Sequence, residues 1–108
     1  MRVSIRPDAE RDLDQAAEFY AREANVDVAL RFLAAFDALC TRLLHHPLSG
    51  TIVEVASSRL PGLRYCMVPG FESYLVFHVS APECIEVVRV LHAARDLARI
   101  LEDDSIHE

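Results

Sequence analysis

Lysine is absent from this 108-residue chain, so all 11 of its basic side chains are arginines. The chain has only three glycines and no glycine-rich run that could cradle a phosphate. Its three cysteines, Cys40, Cys66 and Cys84, are far apart and form no CxxC pair. No apolar run approaches the ~20 residues of a membrane-spanning helix. These absences argue against a P-loop protein, a cysteine-rich zinc site and a membrane-spanning protein.

Acidic residues are concentrated at the end of the chain. The formal net charge is −6, and the last eight residues, LEDDSIHE, contribute four acids and no arginine. The rest of the chain is close to neutral, with 11 arginines against 13 acids. An acidic protein is poorly suited to broad electrostatic binding of nucleic acid, so we expect no direct DNA binding by the protein alone. A local arginine patch would still suit a carboxylate or a phosphate.

The length and the apolar content predict one globular domain. Hydrophobic residues make up 52% of the chain, which is too many for a disordered protein. We expect a single domain over residues 1–101 and an acidic tail over residues 102–108. The opening MRVSIRPDAERDL lacks the apolar core of a secretion signal, so we expect a cytoplasmic protein with reduced thiols. A bridge between Cys66 and Cys84 would require that their strands pair, which the sequence leaves open.

Apolar spacing predicts two helices in the first half of the chain. MRVSIR reads as a short first strand, and the 3–4 spacing that follows Pro7 predicts helix 1 over residues 8–24. A longer stripe predicts helix 2 over residues 28–45, which Pro47 and Gly50 end. Asn25 is predicted to take the left-handed position after helix 1, with Asp27 as the cap of helix 2. The short connection implies an antiparallel hairpin.

The second half of the chain has the period of strands. Strands are predicted over residues 63–68, 73–79 and 84–92, after an irregular segment over residues 51–61. The last strand is apolar on both faces, which is typical of a central strand. Residues 96–101 are predicted as a short C-terminal helix or an extended tail. The order β-α-α-β-β-β indicates an α+β fold, with a helix hairpin packed on a mostly antiparallel sheet.

The stretch RVLHAARDL at residues 89–97 has two arginines and a histidine where a strand leads into a helix. Alternation along a strand predicts that Arg89 and His92 point to opposite faces, which argues against a shared active site. Asp96 is predicted to cap the C-terminal helix, and Arg95 to pair with an acid of helix 1. We interpret Arg89 and Arg95 as fixing the last strand to the C-terminal segment, with His92 partly exposed for a partner.

The remaining histidines and cysteines form no recognisable catalytic or metal-binding pattern. His45 and His46 are adjacent, so on a helix they point about 100° apart and are poor joint ligands. A metal site built from His78, His92 and a cysteine has no ligand spacing to support it, so we predict no metal and no cofactor. A Cys–His nucleophile pair would need a turn that presents the thiol, and no such turn flanks Cys66.

Four stretches occur in an order and spacing typical of one known superfamily. They are RPDAERDLDQAAEFY, RFLAAFDALCTRLLHHPLSG, LPGLRYCMVPGFESYLVFHV and IEVVRVLHAARDL. Together they resemble the RelE/ParE toxin superfamily of type II toxin–antitoxin systems over nearly the whole chain. The closing RVLHAARD, the helix terminator HPLSG and the strand opening LPGLRY are similar to the ParE branch. The resemblance implies a β-α-α-β-β-β toxin encoded beside an antitoxin that binds and neutralises it.

The resemblance implies one of two toxic activities. RelE-like members cut mRNA in the ribosome with strand-borne basic residues, whereas ParE-like members inhibit DNA gyrase without cutting RNA. Where the RelE-like strand has an arginine this chain has Tyr74, and the lysine-bearing loop has no counterpart. Cutting RNA requires several cations around one phosphate, so we expect a non-enzymatic gyrase inhibitor. The alternatives are a ribosome-dependent endoribonuclease, with His92 and Arg64 as candidate catalytic residues, and a degenerate, non-toxic antitoxin-binding protein.

An antitoxin interface is also implied by the resemblance, because such antitoxins fold a partly disordered acidic and apolar tail onto the toxin. The helix hairpin and a sheet edge can supply apolar surface for this tail. The candidate antitoxin-binding cations are Arg31, Arg42, Arg59 and Arg64. The expected partners are therefore a cognate antitoxin and DNA gyrase, without a membrane. A homodimer and a toxin–antitoxin heterotetramer are both compatible with the sequence.

Overall fold

Two helices pack on one face of a five-stranded sheet in the computed structural model, which describes residues 1–53 and 61–96. The elements in chain order are β1 (Arg2–Ile5), α1 (Pro7–Glu23), α2 (Val26–His45), β2 (Thr51–Ile52), β3 (Arg64–Val68), β4 (Phe71–Ser80) and β5 (Cys84–His92). A helical turn over residues 93–96 follows β5. The predicted tail at residues 102–108 and most of the predicted segment 96–101 lie outside the described residues.

The α1–α2 hairpin follows from the apolar spacing. Pro7 occupies the first turn of α1, where its missing N–H is not needed, and Asp8 and Glu10 suit the positive end of the helix. The predicted helix bounds agree with the observed ones to within two residues. Neither of these helices is long and apolar enough to cross a membrane. The buried side chains of the two helices are Ala9, Leu13, Ala16, Ala29, Phe32, Phe36, Leu39 and Leu43.

The residue that caps α2 differs from the predicted one. Asn25 is extended, with a φ of −165°, and its Oδ1 accepts a hydrogen bond from the N–H of Val28 at 3.0 Å. The prediction of a left-handed Asn25 followed by a capping Asp27 is therefore wrong. The prediction fails because α1 already ends at Ala24, where the Ala24 N–H donates to the Tyr20 carbonyl at 2.9 Å. Asn25 is thereby left to begin the next helix.

The sheet has the strand order β1-β5-β4-β3-β2. β1 is parallel to β5, and every other neighbouring pair is antiparallel, so the sheet is mixed and mostly antiparallel as predicted. β5 is an interior strand, in agreement with its two apolar faces. The two-residue strand Thr51–Ile52 corrects the start of the segment 51–61 that was predicted to be irregular, and residues 54–60 of that segment lie outside the described residues. Cys66 and Cys84 are free thiols on β3 and β5, which β4 separates.

A β-bulge at Val88 reverses the alternation of side chains along β5. Val87 and Arg89 have consecutive partners on β4, so Val88 is an extra residue without a partner. Val87 and Val90 therefore both pack against the helices, while Val88 and Leu91 pack on the opposite face of the sheet. Regular alternation would place Leu91 on the face of Val87, but one inserted residue shifts the side-chain phase of the strand.

Candidate partner-binding site

An open groove runs between the last turns of α2 and the outer edge of β3. Its volume is about 690 Å³, and its walls include Arg42, the segment Ser49–Thr51 and the segment Tyr65–Met67. The helix ends beside the groove because the last turn closes with the N–H of His46 on the Arg42 carbonyl, and Pro47 follows. The next residues then cross to the sheet edge as β2. We call this feature the partner groove.

The edge of β3 is partly open in the partner groove. β2 pairs only with Arg64 and Tyr65. Within residues 1–53 and 61–96, no strand pairs with the outer edge of Cys66–Val68. Unpaired main-chain groups at a sheet edge can accept an extended segment of another chain as an added strand. The groove therefore offers backbone hydrogen bonds to a partner.

Exposed apolar side chains lie at and beside the groove, with Met67 in its wall and Leu48 and Ile52 on either side of the Ser49–Thr51 segment. Leu48, Ile52 and Met67 are exposed by 67%, 52% and 51%, respectively. They are half of the exposed large apolar residues in the described part of the chain, where the others are Met1, Val26 and Leu30. Exposed apolar groups beside an open strand edge are typical of a surface that a partner covers.

Two arginines at the groove have no carboxylate partner among the described residues. Arg42 is exposed at the end of α2, and the half-buried Arg64 donates from Nη1 to the Gly50 carbonyl at 3.2 Å. A guanidinium without a carboxylate is available for bidentate pairing with an acid of a partner. Other arginines differ in this respect, and those that lie beside a carboxylate include Arg6, Arg11, Arg89 and Arg95.

A cysteine and a histidine form a pair at the wall of the groove. Cys66 Sγ lies 3.6 Å from His78 Nε2, and His78 is fully buried. Burial raises the pKa of the Cys66 thiol, and the nearby Arg42 and Arg64 offset part of this rise. Burial, with the charge of Arg64, lowers the pKa of the His78 imidazole. Both groups are therefore neutral near pH 7, and the thiol can donate its proton toward the ring.

The sequence predicts no Cys–His pair, and the structure contains one. Cys66 pairs directly with Val76, so His78 is its diagonal neighbour on the adjacent strand. This register depends on an irregularity between Met67 and Val68 close to the hairpin turn. A sequence pattern that assumes regular pairing places different residues opposite Cys66. No signal in the sequence alone would have identified the pair.

His92 begins the helical turn that follows β5. Its Nδ1 accepts a hydrogen bond from the N–H of Arg95 at 3.1 Å, and the Asp96 carboxylate accepts one from the N–H of His92 at 2.9 Å. The ring packs edge-on against Tyr74, with the centroids 5.1 Å apart. His92 rather than Asp96 is therefore the capping residue, since the turn starts three residues before the predicted helix. With Nδ1 as an acceptor, the ring carries its proton on Nε2.

Arg89 fixes β5 to α1 through a buried ion pair. Its Nε and Nη2 donate to the two carboxylate oxygens of Asp12 at 2.7 and 2.9 Å. Asp12 also accepts a hydrogen bond from the N–H of Val90 at 2.9 Å. The prediction that Arg95 pairs with an acid of helix 1 is wrong, because in the described residues Arg95 lies beside Asp96, 3.6 Å away. Arg89 makes the predicted kind of contact with helix 1 instead.

The two candidate catalytic residues for RNA cleavage do not meet. Arg64 pairs with His78 of β4, whereas His92 pairs with Tyr74 of the same strand. These two positions are separated by roughly 13 Å along β4. Arg64 and His92 also lie on strands at opposite sides of β4. One phosphate could not contact both side chains in this arrangement.

The candidate antitoxin-binding arginines are not brought together as a set of four. Arg42 and Arg64 both lie near Cys66 at the partner groove. Arg31 is exposed on α2, three turns before Arg42, which is about 16 Å along the helix. Arg59 lies outside the described residues. The structure therefore supports Arg42 and Arg64 as the cations nearest to the open edge of β3.

One family model matches most of the chain, and one solved structure has a similar fold. The family model described as "ParE toxin of type II toxin-antitoxin system, parDE" matches residues 3–97. A solved chain titled "Chromosomal ParDE TA system from P. aeruginosa" has a similar fold, with a TM-score of 0.68 and 16% sequence identity. The alignment covers 85% of this chain and 95% of that chain. No curated protein matches the sequence.

Proposed function

Since the chain belongs to the ParE toxin family of type II toxin–antitoxin systems, we propose that it is a cytoplasmic toxin that inhibits DNA gyrase and is neutralised by direct binding of a cognate antitoxin. The observation that carries the antitoxin part of this proposal is the partner groove. An open strand edge, the exposed Met67 and the exposed Arg42, which has no carboxylate partner among the described residues, occur there together, with Leu48, Ile52 and Arg64 close by. An acidic and apolar peptide segment needs all three of these features, because they supply backbone hydrogen bonds, apolar contacts and partners for its carboxylates.

An extended antitoxin segment fits the groove better than a rigid surface would. The main-chain groups of Cys66–Val68 can form a ladder with an added strand, which supplies affinity without any sequence requirement. Side chains of an added strand alternate, so apolar residues can cover Met67 on one face of the sheet while acidic residues on the other face point toward Arg64. A segment that folds only on binding can follow this surface from β3 to the end of α2.

Arg42 is the arginine best placed to act as an anchor. It lines the groove, it is exposed before binding, and it has no carboxylate partner in the described part of the chain. Arg64 already donates to the Gly50 carbonyl, so an acid of the partner would compete with or extend that contact. Charged pairs that become desolvated at the centre of an interface contribute much more than pairs at its rim.

Gyrase inhibition is favoured over RNA cleavage by the distribution of cations. RNA cleavage needs cations and a proton-transfer group around one phosphate, both to bind it and to stabilise its developing charge. Arg64 and His92 are too far apart to share that work. The chain has no lysine and a net charge of −6, which weakens any attraction to RNA.

We expect purified toxin to inhibit supercoiling by DNA gyrase in vitro and added cognate antitoxin to restore it. Growth should stop when the toxin is induced without the antitoxin, and transcripts mapped in the same cells should be intact. The physical reason is that a binding toxin acts by occupying a surface of its target. Supercoiling gels, growth curves and RNA end mapping measure these outcomes.

Each alternative function has a distinct result in the same experiments. Unaffected gyrase at a high excess of toxin would contradict gyrase inhibition. Codon-positioned cuts in translated mRNA that disappear in His92→Ala and Arg64→Ala would identify an endoribonuclease. Normal growth under strong induction of a folded protein would identify a non-toxic antitoxin-binding member of the family.

A further inference from the structure

A second group of exposed apolar side chains lies on the first two turns of α2, away from the partner groove. Val26 and Leu30 are exposed by 62% and 57%, and they lie one helical turn apart, so their side chains are neighbours on one face. The helix is well formed at this point, because Asn25 accepts a hydrogen bond from the N–H of Val28. Adjacent exposed apolar side chains on a regular element are typical of a surface that another molecule covers.

A pair of opposite charges lies beside this apolar pair. Asp27 and Arg31 are both exposed, and they are also one turn apart, so they form a second row along the same side of the helix. Among the described residues, no salt bridge includes either of these two side chains. Both charges are therefore available to another molecule. We call the four residues Val26, Asp27, Leu30 and Arg31 the helix patch.

The helix patch is complementary to a second copy of itself. When two copies of one helix cross antiparallel about a two-fold axis, the first residue of a row faces the second residue of the same row on the other copy. Val26 then contacts Leu30 of the second copy, and Asp27 faces Arg31 of the second copy. The two-fold axis repeats each contact, so both charged pairs and both apolar pairs form. An acidic peptide fits the patch less well, because Asp27 would repel it.

We propose that the helix patch is a self-association surface, through which two copies of this chain form an antiparallel, two-fold symmetric dimer. The apolar row supplies contact area, and the two Asp27–Arg31 pairs set the antiparallel orientation. The surface is small, since each copy contributes only two large apolar side chains, so the dimer is weak and depends on concentration. The partner groove stays open in this dimer, because Arg42 lies about 16 Å beyond Arg31 along α2.

Charge reversal tests the arrangement of the two copies. Asp27→Arg gives a patch with two arginines, and Arg31→Asp gives a patch with two aspartates, so each variant alone should repel its own copy. An equimolar mixture of the two variants restores both pairs, because every arginine then faces an aspartate. We expect each variant alone to have a dimer dissociation constant at least about tenfold above that of the wild type, and the mixture to return to within about threefold of it. A loss of helix stability cannot explain such a recovery, since the mixture contains the same two proteins.

Sedimentation equilibrium of the purified chain, from about 5 µM to about 500 µM, measures these constants over a range suited to a small interface. Leu30→Gln removes the apolar contact and should also weaken the dimer. Asp14→Arg is the matched control, because it reverses an exposed charge on α1 and should leave the dissociation constant unchanged. Circular dichroism confirms that every variant is folded.

Three results would overturn the inference. They are a wild type that stays monomeric over this range, a dimer that both charge reversals leave intact, and a mixture that associates no better than its two components. Titration of the cognate antitoxin against Leu30→Gln identifies the other occupant. A tenfold loss of antitoxin affinity in a chain that does not dimerise would assign the helix patch to the antitoxin instead.

Discussion

Replacing Asp12 by alanine is expected to lower the free energy of unfolding by about 3–5 kcal/mol. The side chains of Asp12 and Arg89 are each only 10% exposed, and two hydrogen bonds join them. Removing the carboxylate leaves the Arg89 guanidinium buried without this partner and also removes the acceptor of the Val90 N–H. The contact joins residues 77 positions apart and holds α1 on β5. Urea denaturation followed by circular dichroism measures the change.

Asp14→Ala is the matched control for Asp12→Ala. It removes an exposed carboxylate from the same helix, so its effect should stay within about 0.5 kcal/mol. Asp12→Asn keeps an acceptor of the same size but removes the charge, and it should fall between the two alanine variants. A loss below about 1 kcal/mol for Asp12→Ala would contradict the role of the pair.

Replacing Gly50 by alanine should also destabilise the protein, by at least about 2 kcal/mol. Gly50 has a φ of +97°, and a left-handed or otherwise strained backbone costs about 1–3 kcal/mol for other residues. A Cβ at this position would lie 2.5 Å from the Tyr65 carbonyl oxygen and 2.8 Å from Cys66 Sγ. The first of these atoms is main chain of β3 and cannot rotate away. Thermal and urea denaturation measure the effect.

Gly70→Ala separates the effect of backbone strain from the effect of the clash between an added Cβ and β3. Gly70 has a φ of +81°, but an added Cβ there meets no atom within 4 Å. Gly70→Ala should therefore show the backbone strain alone, and Gly50→Ala should be less stable because it also forces β3 and the segment before β2 apart. Equal losses in the two variants would show that the contact between Gly50 and β3 is unimportant.

Much of the fold follows from local patterns in the sequence. The apolar positions of α2 repeat with the helical period over five turns, so its buried face and its end near Pro47 are determined by the chain itself. β5 is apolar on both faces because helices cover one side and a second apolar cluster lies on the other. Short connections then restrict the order of the elements.

The details that shape the site depend on contacts between distant residues. The bulge at Val88 carries no glycine or other local marker, yet it reverses the facing of every later residue of β5. The Asp12–Arg89 pair is of the kind that the sequence predicts, but Arg95 is an equally good candidate by spacing alone. The contact between Cys66 and His78 depends on an irregular hairpin register. These details are determined by packing between residues that are distant in the sequence. A local sequence pattern carries no information about that packing.

In the proposed function, an acidic antitoxin segment binds in the partner groove with Arg42 as an anchor. Titration calorimetry of the cognate antitoxin against wild type, Arg42→Ala and the control Arg22→Ala tests this most directly. Arg22 is an exposed arginine at the opposite end of the helix hairpin. We expect roughly a thirtyfold loss of affinity for Arg42→Ala, equivalent to about 2 kcal/mol, and a near-wild-type affinity for Arg22→Ala. A near-wild-type affinity for Arg42→Ala would contradict the anchor role of Arg42, and near-wild-type affinities for Arg31→Ala, Arg59→Ala and Arg64→Ala as well would contradict arginine anchoring altogether.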